Sequence, residues 1–145
     1  MGEKTEQAGG CLCGKVRFRV ANRAAKAGAC HCQSCRRWAG GPLIAIDCGD
    51  AVDFEDEEHI VRYRSSDWAE RGFCGTCGSN LFYRLVQSGQ YMMCAGAFDD
   101  QSDLELVSQV FIDEKPDYYA FANETETMTG AELFAKFAPP GGGEE

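Results

Sequence analysis

Long apolar runs are what this chain most plainly lacks. No stretch approaches the ~20 apolar residues that span a bilayer. The opening "MGEKTEQAGG" has none of the apolar core that marks a secretory leader. The expectation is a soluble, cytoplasmic protein. Basic residues are also short, with 14 Lys and Arg against 23 Asp and Glu, a formal charge of −9. A field of that sign repels a phosphate backbone and argues against nucleic acid as a partner. The one dense basic stretch is "KVRFRV" with "CRRW". Helical periodicity is scarce, and no repeat or linker divides the 145 residues. One domain with one core is therefore expected.

Alternation is abundant. In "KVRFRV", Val16, Phe18 and Val20 alternate with Lys15, Arg17 and Arg19, the pattern of a strand with one buried face. "PLIAI", "HIVRYR", "SNLFYRLV", "YMMCAGAF" and "LVSQVFID" are further strand-like runs. A helix is expected over "TGAELFAKF", where Leu133, Phe134 and Phe137 have helical spacing and Thr129 can cap, and a single turn over "CQSCRRW". The fold class is mainly β, a single domain with cysteine-bearing loops and little helix. Residues 1–8 and the acidic tail 138–145 are expected to lack regular structure, leaving 9–137 as the domain.

Cysteine is the outstanding presence, with nine in all. Seven fall in three motifs: "CLC" at Cys11 and Cys13, "CHCQSC" at Cys30, Cys32 and Cys35, and "CGTC" at Cys74 and Cys77. The odd count and the expected reducing compartment argue against a disulfide framework. Zinc takes thiolates tetrahedrally, and a closed site needs four protein ligands. In an extended "CLC" the two sulfurs point to one face; with the C-x₂-C turn they make a four-cysteine set of Cys11, Cys13, Cys74 and Cys77. The remaining Cys30, Cys32 and Cys35 describe an open site of the kind zinc enzymes keep for water or substrate. A rival pairing joins Cys32 and Cys35 to Cys74 and Cys77 as a zinc ribbon. Its 38 intervening residues exceed the usual ~15–20, and it leaves Cys11, Cys13 and Cys30 without a role. A redox role for "CGTC" lacks the surrounding βαβ pattern.

His31 is the candidate fourth ligand of the three-cysteine set. Lying between two ligands, it should point away from them, and it reads as a strand-end histidine bonded to solvent or backbone. Cys48 and Cys94 read as small buried hydrophobes. Arg36, Arg37 and Trp38 follow the loop and are candidates for holding a small anion, against the plainer reading of two solvated cations and a packing tryptophan.

The motifs "GGCLCGKVRFRV", "CHCQSCRRWAGGP", "YRSSDWAERGFCGTCGSNLFYR" and "VFIDEKPDYY" together resemble the glutathione-dependent formaldehyde-activating (GFA) enzyme family, which includes centromere-protein-V-like proteins. The resemblance covers roughly residues 9–120. It implies an Mss4-like β fold with two zinc positions: structural zinc on Cys11, Cys13, Cys74 and Cys77, and catalytic zinc on Cys30, Cys32 and Cys35. It also implies a carbon–sulfur lyase that joins glutathione and formaldehyde as S-(hydroxymethyl)glutathione. Nothing in the residues reads as a glutathione-binding motif. The alternative class is a non-catalytic zinc-binding module for protein interaction, for which "DCGDAVDFEDEE" offers an acidic surface.

Overall fold

Alternating apolar residues and few helical stretches yield a mainly β chain. The structure, a computed structural model, describes residues 6–137. In chain order it contains β1 (Gln7–Gly10), β2 (Arg17–Val20), β3 (Lys26–Cys30), α1 (Gln33–Ala39), β4 (Leu43–Asp47), β5 (Val52–Glu55), β6 (Ile60–Arg64), β7 (Ala69–Cys74), β8 (Asn80–Leu85), β9 (Tyr91–Cys94), β10 (Glu105–Val110), β11 (Glu126–Met128) and α2 (Gly130–Phe137). β1 takes in Gln7 and Ala8, two residues expected to be irregular, because they pair antiparallel with Val20 and Arg19 of β2. Residues 1–5 and 138–145 lie outside the described residues. No helix among the described residues is long and apolar enough to cross a membrane.

The chain groups into two units that interleave in sequence, 1–27 with 45–105 and 28–44 with 106–145. In the first, β1, β2 and β5 form one antiparallel sheet. β4, β9, β8, β7 and β6 follow one another in a second. Phe18 of β2 sits opposite Phe54 of β5. Its ring meets Phe98 edge-on at 5.3 Å, and Phe54 continues the cluster to Phe82 at 5.5 Å and Tyr91 at 5.6 Å. Such ring pairs contribute roughly 0.5–1.5 kcal/mol beyond the area they bury. Arg62 and Arg23 lie over Phe82 and Phe98, so cations cap the cluster.

β7 is central between β6 and β8 although "AERGFC" shows no clean alternation. Glu70 is held by Arg62 at 2.7 Å and Arg84 at 3.1 Å, while Arg71 is buried beneath the ring of Tyr83. Gly72 lets Phe82 lie flat on the strand, since a Cβ there would stand 2.2 Å from the ring. A register shift follows between Gly72 and Phe73.

The second unit joins the ends of β3 and β10 with β11 and both helices. β11 runs parallel to β10, pairing Ser108 with Glu126. α2 opens on a reciprocal cap: Thr129 Oγ1 accepts from Glu132 N at 3.1 Å, and Glu132 Oε1 accepts from Thr129 N at 2.8 Å.

Gly72→Ala should lower stability by about 1–3 kcal/mol through overpacking against Phe82, read as a shifted urea midpoint with unchanged slope. Gly96→Ala, whose Cβ meets nothing within 4 Å, is the neutral comparison. Equal midpoints for the two variants would contradict this packing.

Candidate metal centres

The seven clustered cysteines gather as two sets. The sulfurs of Cys11, Cys13, Cys74 and Cys77 lie within 4.8 Å of one another, as do those of Cys30, Cys32 and Cys35. This is the division the spacing suggested, and not the zinc-ribbon pairing. Each set could hold a metal ion.

The four-thiol set is built from two turns. One follows β1, where Gly14 N returns to Cys11 O at 3.2 Å; the other follows β7, where Gly78 N returns to Cys74 O at 2.8 Å. Both turns close on glycines with left-handed backbone, φ 86° at Gly14 and 80° at Gly78. "CLC" is thus a turn and not an extended segment, because the chain must reverse between β1 and β2. Backbone N–H groups point at the sulfurs: Val16 N lies 3.3 Å from Cys11 Sγ, and Thr76 N and Cys77 N lie 3.4 Å from Cys74 Sγ. Leu12 N donates to Ser79 Oγ at 2.9 Å and ties the turns together. The sulfurs of Cys11 and Cys13 are 3.6 Å apart, and those of Cys13 and Cys74 3.8 Å. Four sulfurs at about 2.3 Å from a tetrahedral metal stand about 3.8 Å from each other, so the set fits.

The thiols also divide charge as a crowded set must. Cys77 is pulled down to about 5 by the Ser79 hydroxyl and N–H. For Cys13, a lowering bond from Lys15 N–H is outweighed by burial and by the thiols of Cys11, Cys77 and Cys74, which raise it to about 11. Burial raises the Cys11 thiol, but bonds from the Val16 N–H and the Cys13 and Cys74 thiols outweigh it and lower it. A divalent cation would favour the thiolate form of all four.

The three-thiol set sits where β3 runs into α1. Cys30 ends the strand, and Cys32 caps the helix by accepting from Cys35 N at 3.3 Å. Cys35 is buried in the first turn. The Cys30 thiol is pushed well up, first by its bonds to Cys32 and Cys35 and then by burial. Glu114 Oε1 accepts from Gln33 N at 2.9 Å and pins the loop after Cys32. Glu114 arrives there because Phe111 is left-handed, with φ 55°. This ends β10 at Val110, short of the expected run through Asp113. Such a conformation costs a bulky residue roughly 1–3 kcal/mol. The Phe111 ring is held by an edge-on contact with Phe134 and by the absence of a Cβ at Gly130.

His31 is not available to a metal. It is fully buried. Nε2 meets Gln109 Oε1 at 2.7 Å, and Nδ1 meets the Tyr119 hydroxyl at 2.9 Å. A carboxamide oxygen only accepts, so Nε2 carries a proton and donates to Gln109, while Nδ1 bonds the Tyr119 hydroxyl. These side-chain partners replace the solvent or backbone expected from the sequence. The His31 backbone is engaged as well, its N–H donating to Val110 O at 3.1 Å and its carbonyl accepting from Arg36 Nε at 2.8 Å. The residue between Cys30 and Cys32 is therefore engaged on every polar atom. Gln109, Glu114 and Tyr119 had no role assigned from the sequence, where they stood only within the strand-like run "LVSQVFID" and the motif "VFIDEKPDYY". Cys48 and Cys94 are buried as expected, and burial first raises the Cys48 thiol to about 12.

A family profile described as "Glutathione-dependent formaldehyde-activating enzyme" matches residues 6–114. The chain belongs to that family. An uncharacterized lyase of Schizosaccharomyces pombe is 34% identical over 129 residues, covering 88% of this chain and 94% of that one. A Halomonas elongata protein, provisionally named a glutathione-dependent formaldehyde-activating enzyme, is 35% identical over 83 residues, with 51% and 53% covered. The crystal structure of a Rhodobacter sphaeroides protein shares the fold, with a TM-score of 0.55 at 22% identity over 69% of this chain and 99% of that one.

Reduced protein supplied with zinc should carry two ions per chain by native mass spectrometry. Cys74→Ser should remove one and Cys32→Ser the other, with the Cys32-dependent ion leaving first to a mild chelator. A single ion lost in both variants would contradict two separate sets. In a double-mutant cycle, His31→Ala and Gln109→Ala should each destabilise by about 1–3 kcal/mol and couple by about 1 kcal/mol; additive losses would deny the bond between them.

Proposed function

We propose that this GFA-family chain is a zinc-dependent enzyme of the carbon–sulfur lyase type. It forms or cleaves a thiol–aldehyde adduct, as an S-(hydroxymethyl)glutathione synthase does with glutathione and formaldehyde. In the forward direction a thiol adds to the carbonyl carbon, a C–S bond forms, and the thiol proton ends on the new hydroxyl oxygen. One observation carries the reading. Cys30, Cys32 and Cys35 converge as three donors while the only histidine beside them is committed to Gln109 and Tyr119. That donor set is one short of a closed tetrahedral site, whereas Cys11, Cys13, Cys74 and Cys77 complete theirs.

Zinc bound by the three thiols would favour the thiolate form of a substrate sulfur at neutral pH. The chain supplies the geometry. Cys32 is fixed as the helix cap, and Cys35 is fixed by burial in the first turn. His31 clamps the intervening backbone, and Glu114 restrains the residue after Cys32. The four-thiol set supports the fold by joining the turn after β1 to the turn after β7, more than 60 positions away in sequence. A cytoplasmic setting fits chemistry that needs reduced thiols.

Cys32→Ser and Cys35→Ser proteins that remain folded and keep one zinc should lose adduct turnover by roughly 100-fold or more. Replacing residues that merely support metal ligands already costs 10–100-fold. Full turnover in either variant would sink the enzyme and favour a non-catalytic zinc module.

A further inference from the structure

We infer that the hydrogen-bonded relay Thr125–Gln109–His31–Tyr119 is a positioning device for the three-thiol set, with Tyr119 as the positioning residue that closes it. This rests on the metal-dependent reading of that set proposed above and adds residues that act on it without being ligands. Gln109 lies in β10, Thr125 stands just before β11, and Tyr119 lies in the segment between those strands. The family profile ends at residue 114, so it takes in Gln109 but neither Tyr119 nor Thr125.

The bonds run without a gap. Gln109 Nε2 donates to Thr125 Oγ1 at 2.9 Å, which leaves Oε1 of the same carboxamide facing His31 Nε2 at 2.7 Å. Across the ring, Nδ1 meets the Tyr119 hydroxyl at 2.9 Å. The rings of Tyr119 and Phe121 lie against the imidazole, with centroids 5.5 and 5.9 Å from its own. Lys115 holds Tyr119 in turn: its Nζ donates to the carbonyls of Pro116 and Tyr119 and lies 5.1 Å from the Tyr119 ring centroid. His31 is fully buried and Gln109 is buried beside it. Polar side chains are tolerated at such depth only when their bonds are made. A small apolar residue at position 31 would need none of these partners, so packing alone does not account for the relay.

Its use follows from where His31 stands. The residues on either side of it are Cys30 and Cys32. Peptide units are rigid planes, so any movement of the His31 main chain carries both neighbours with it. That main chain already has two holds, its N–H on Val110 O and its carbonyl under Arg36 Nε. The side-chain relay adds a third from a separate segment of the chain. Held in this way, Cys30 and Cys32 keep their places before any ion arrives, and the set is preorganised for it.

The test compares the reduced, zinc-loaded full chain with Tyr119→Phe, which keeps the ring and removes only the hydroxyl. Loss of each ion to a mild chelator is followed by native mass spectrometry, with Cys74→Ser and Cys32→Ser showing which ion leaves. The Cys32-dependent ion should leave about tenfold faster from Tyr119→Phe, the lower end of what partners supporting metal ligands contribute. The Cys74-dependent ion of the same molecules should keep its native rate. Thr125→Val, at the far end of the relay, carries the same prediction should Tyr119→Phe fail to fold. A merely structural role would lower the urea midpoint and leave the ratio of the two rates unchanged, and that result would overturn the positioning role. If the native protein holds an ion at the four-thiol set alone, the metal-dependent reading fails and iodoacetamide decides. Faster alkylation of Cys30 and Cys32 in Tyr119→Phe than in native protein, read by peptide mapping, would uphold the positioning role; equal rates would overturn it.

Discussion

Sulfur crowding is the constraint on which this structure turns. Thiols held within 4.8 Å of one another compete for charge, with Cys77 pulled down to about 5 while Cys13 is pushed up to about 11. A fold that gathers seven sulfurs this way could hold cations that accept them as thiolates. The rest follows from how each set is assembled. Glycine-closed turns with inward N–H groups build the four-thiol set as a closed cage. A strand end, a helix cap and a buried first turn build the other as a set of three. Under the proposed function, the closed set holds the chain together and the open one receives a ligand.

Much of this was legible in the sequence, for a physical reason. Metal-ligand spacing is local, so "CLC", "CHCQSC" and "CGTC" announced their sets before any fold was known, and "KVRFRV" announced a half-buried strand by period alone. β7 was hidden because its register depends on tertiary partners: Glu70 and Arg71 are tolerated on a central strand only through Arg62, Arg84 and Tyr83, and Gly72 only because Phe82 fills the space of its missing side chain. The turn at Phe111 was hidden as well, since its left-handed backbone is imposed by contacts with Phe134 and Gly130. The lock on His31 spans 78 and 88 positions to Gln109 and Tyr119, a separation that no local pattern encodes.

Membership of the GFA family and the geometry of the three-thiol set bear on function in different ways. The family supplies a reaction class, and the geometry of the three-thiol set supports the proposal that this chain performs it. The histidine nearest the sulfurs is tied up elsewhere, and among the described residues the donor set stops at three.

Anomalous diffraction at the zinc edge, from crystals of reduced, zinc-loaded protein, tests the central claim most directly. The account predicts two peaks. One lies about 2.3 Å from the sulfurs of Cys11, Cys13, Cys74 and Cys77; the other lies at the same distance from Cys30, Cys32 and Cys35, with a fourth ligand that is not protein. A metal bridging Cys32 and Cys35 to Cys74 and Cys77, or one closed by His31, would contradict it.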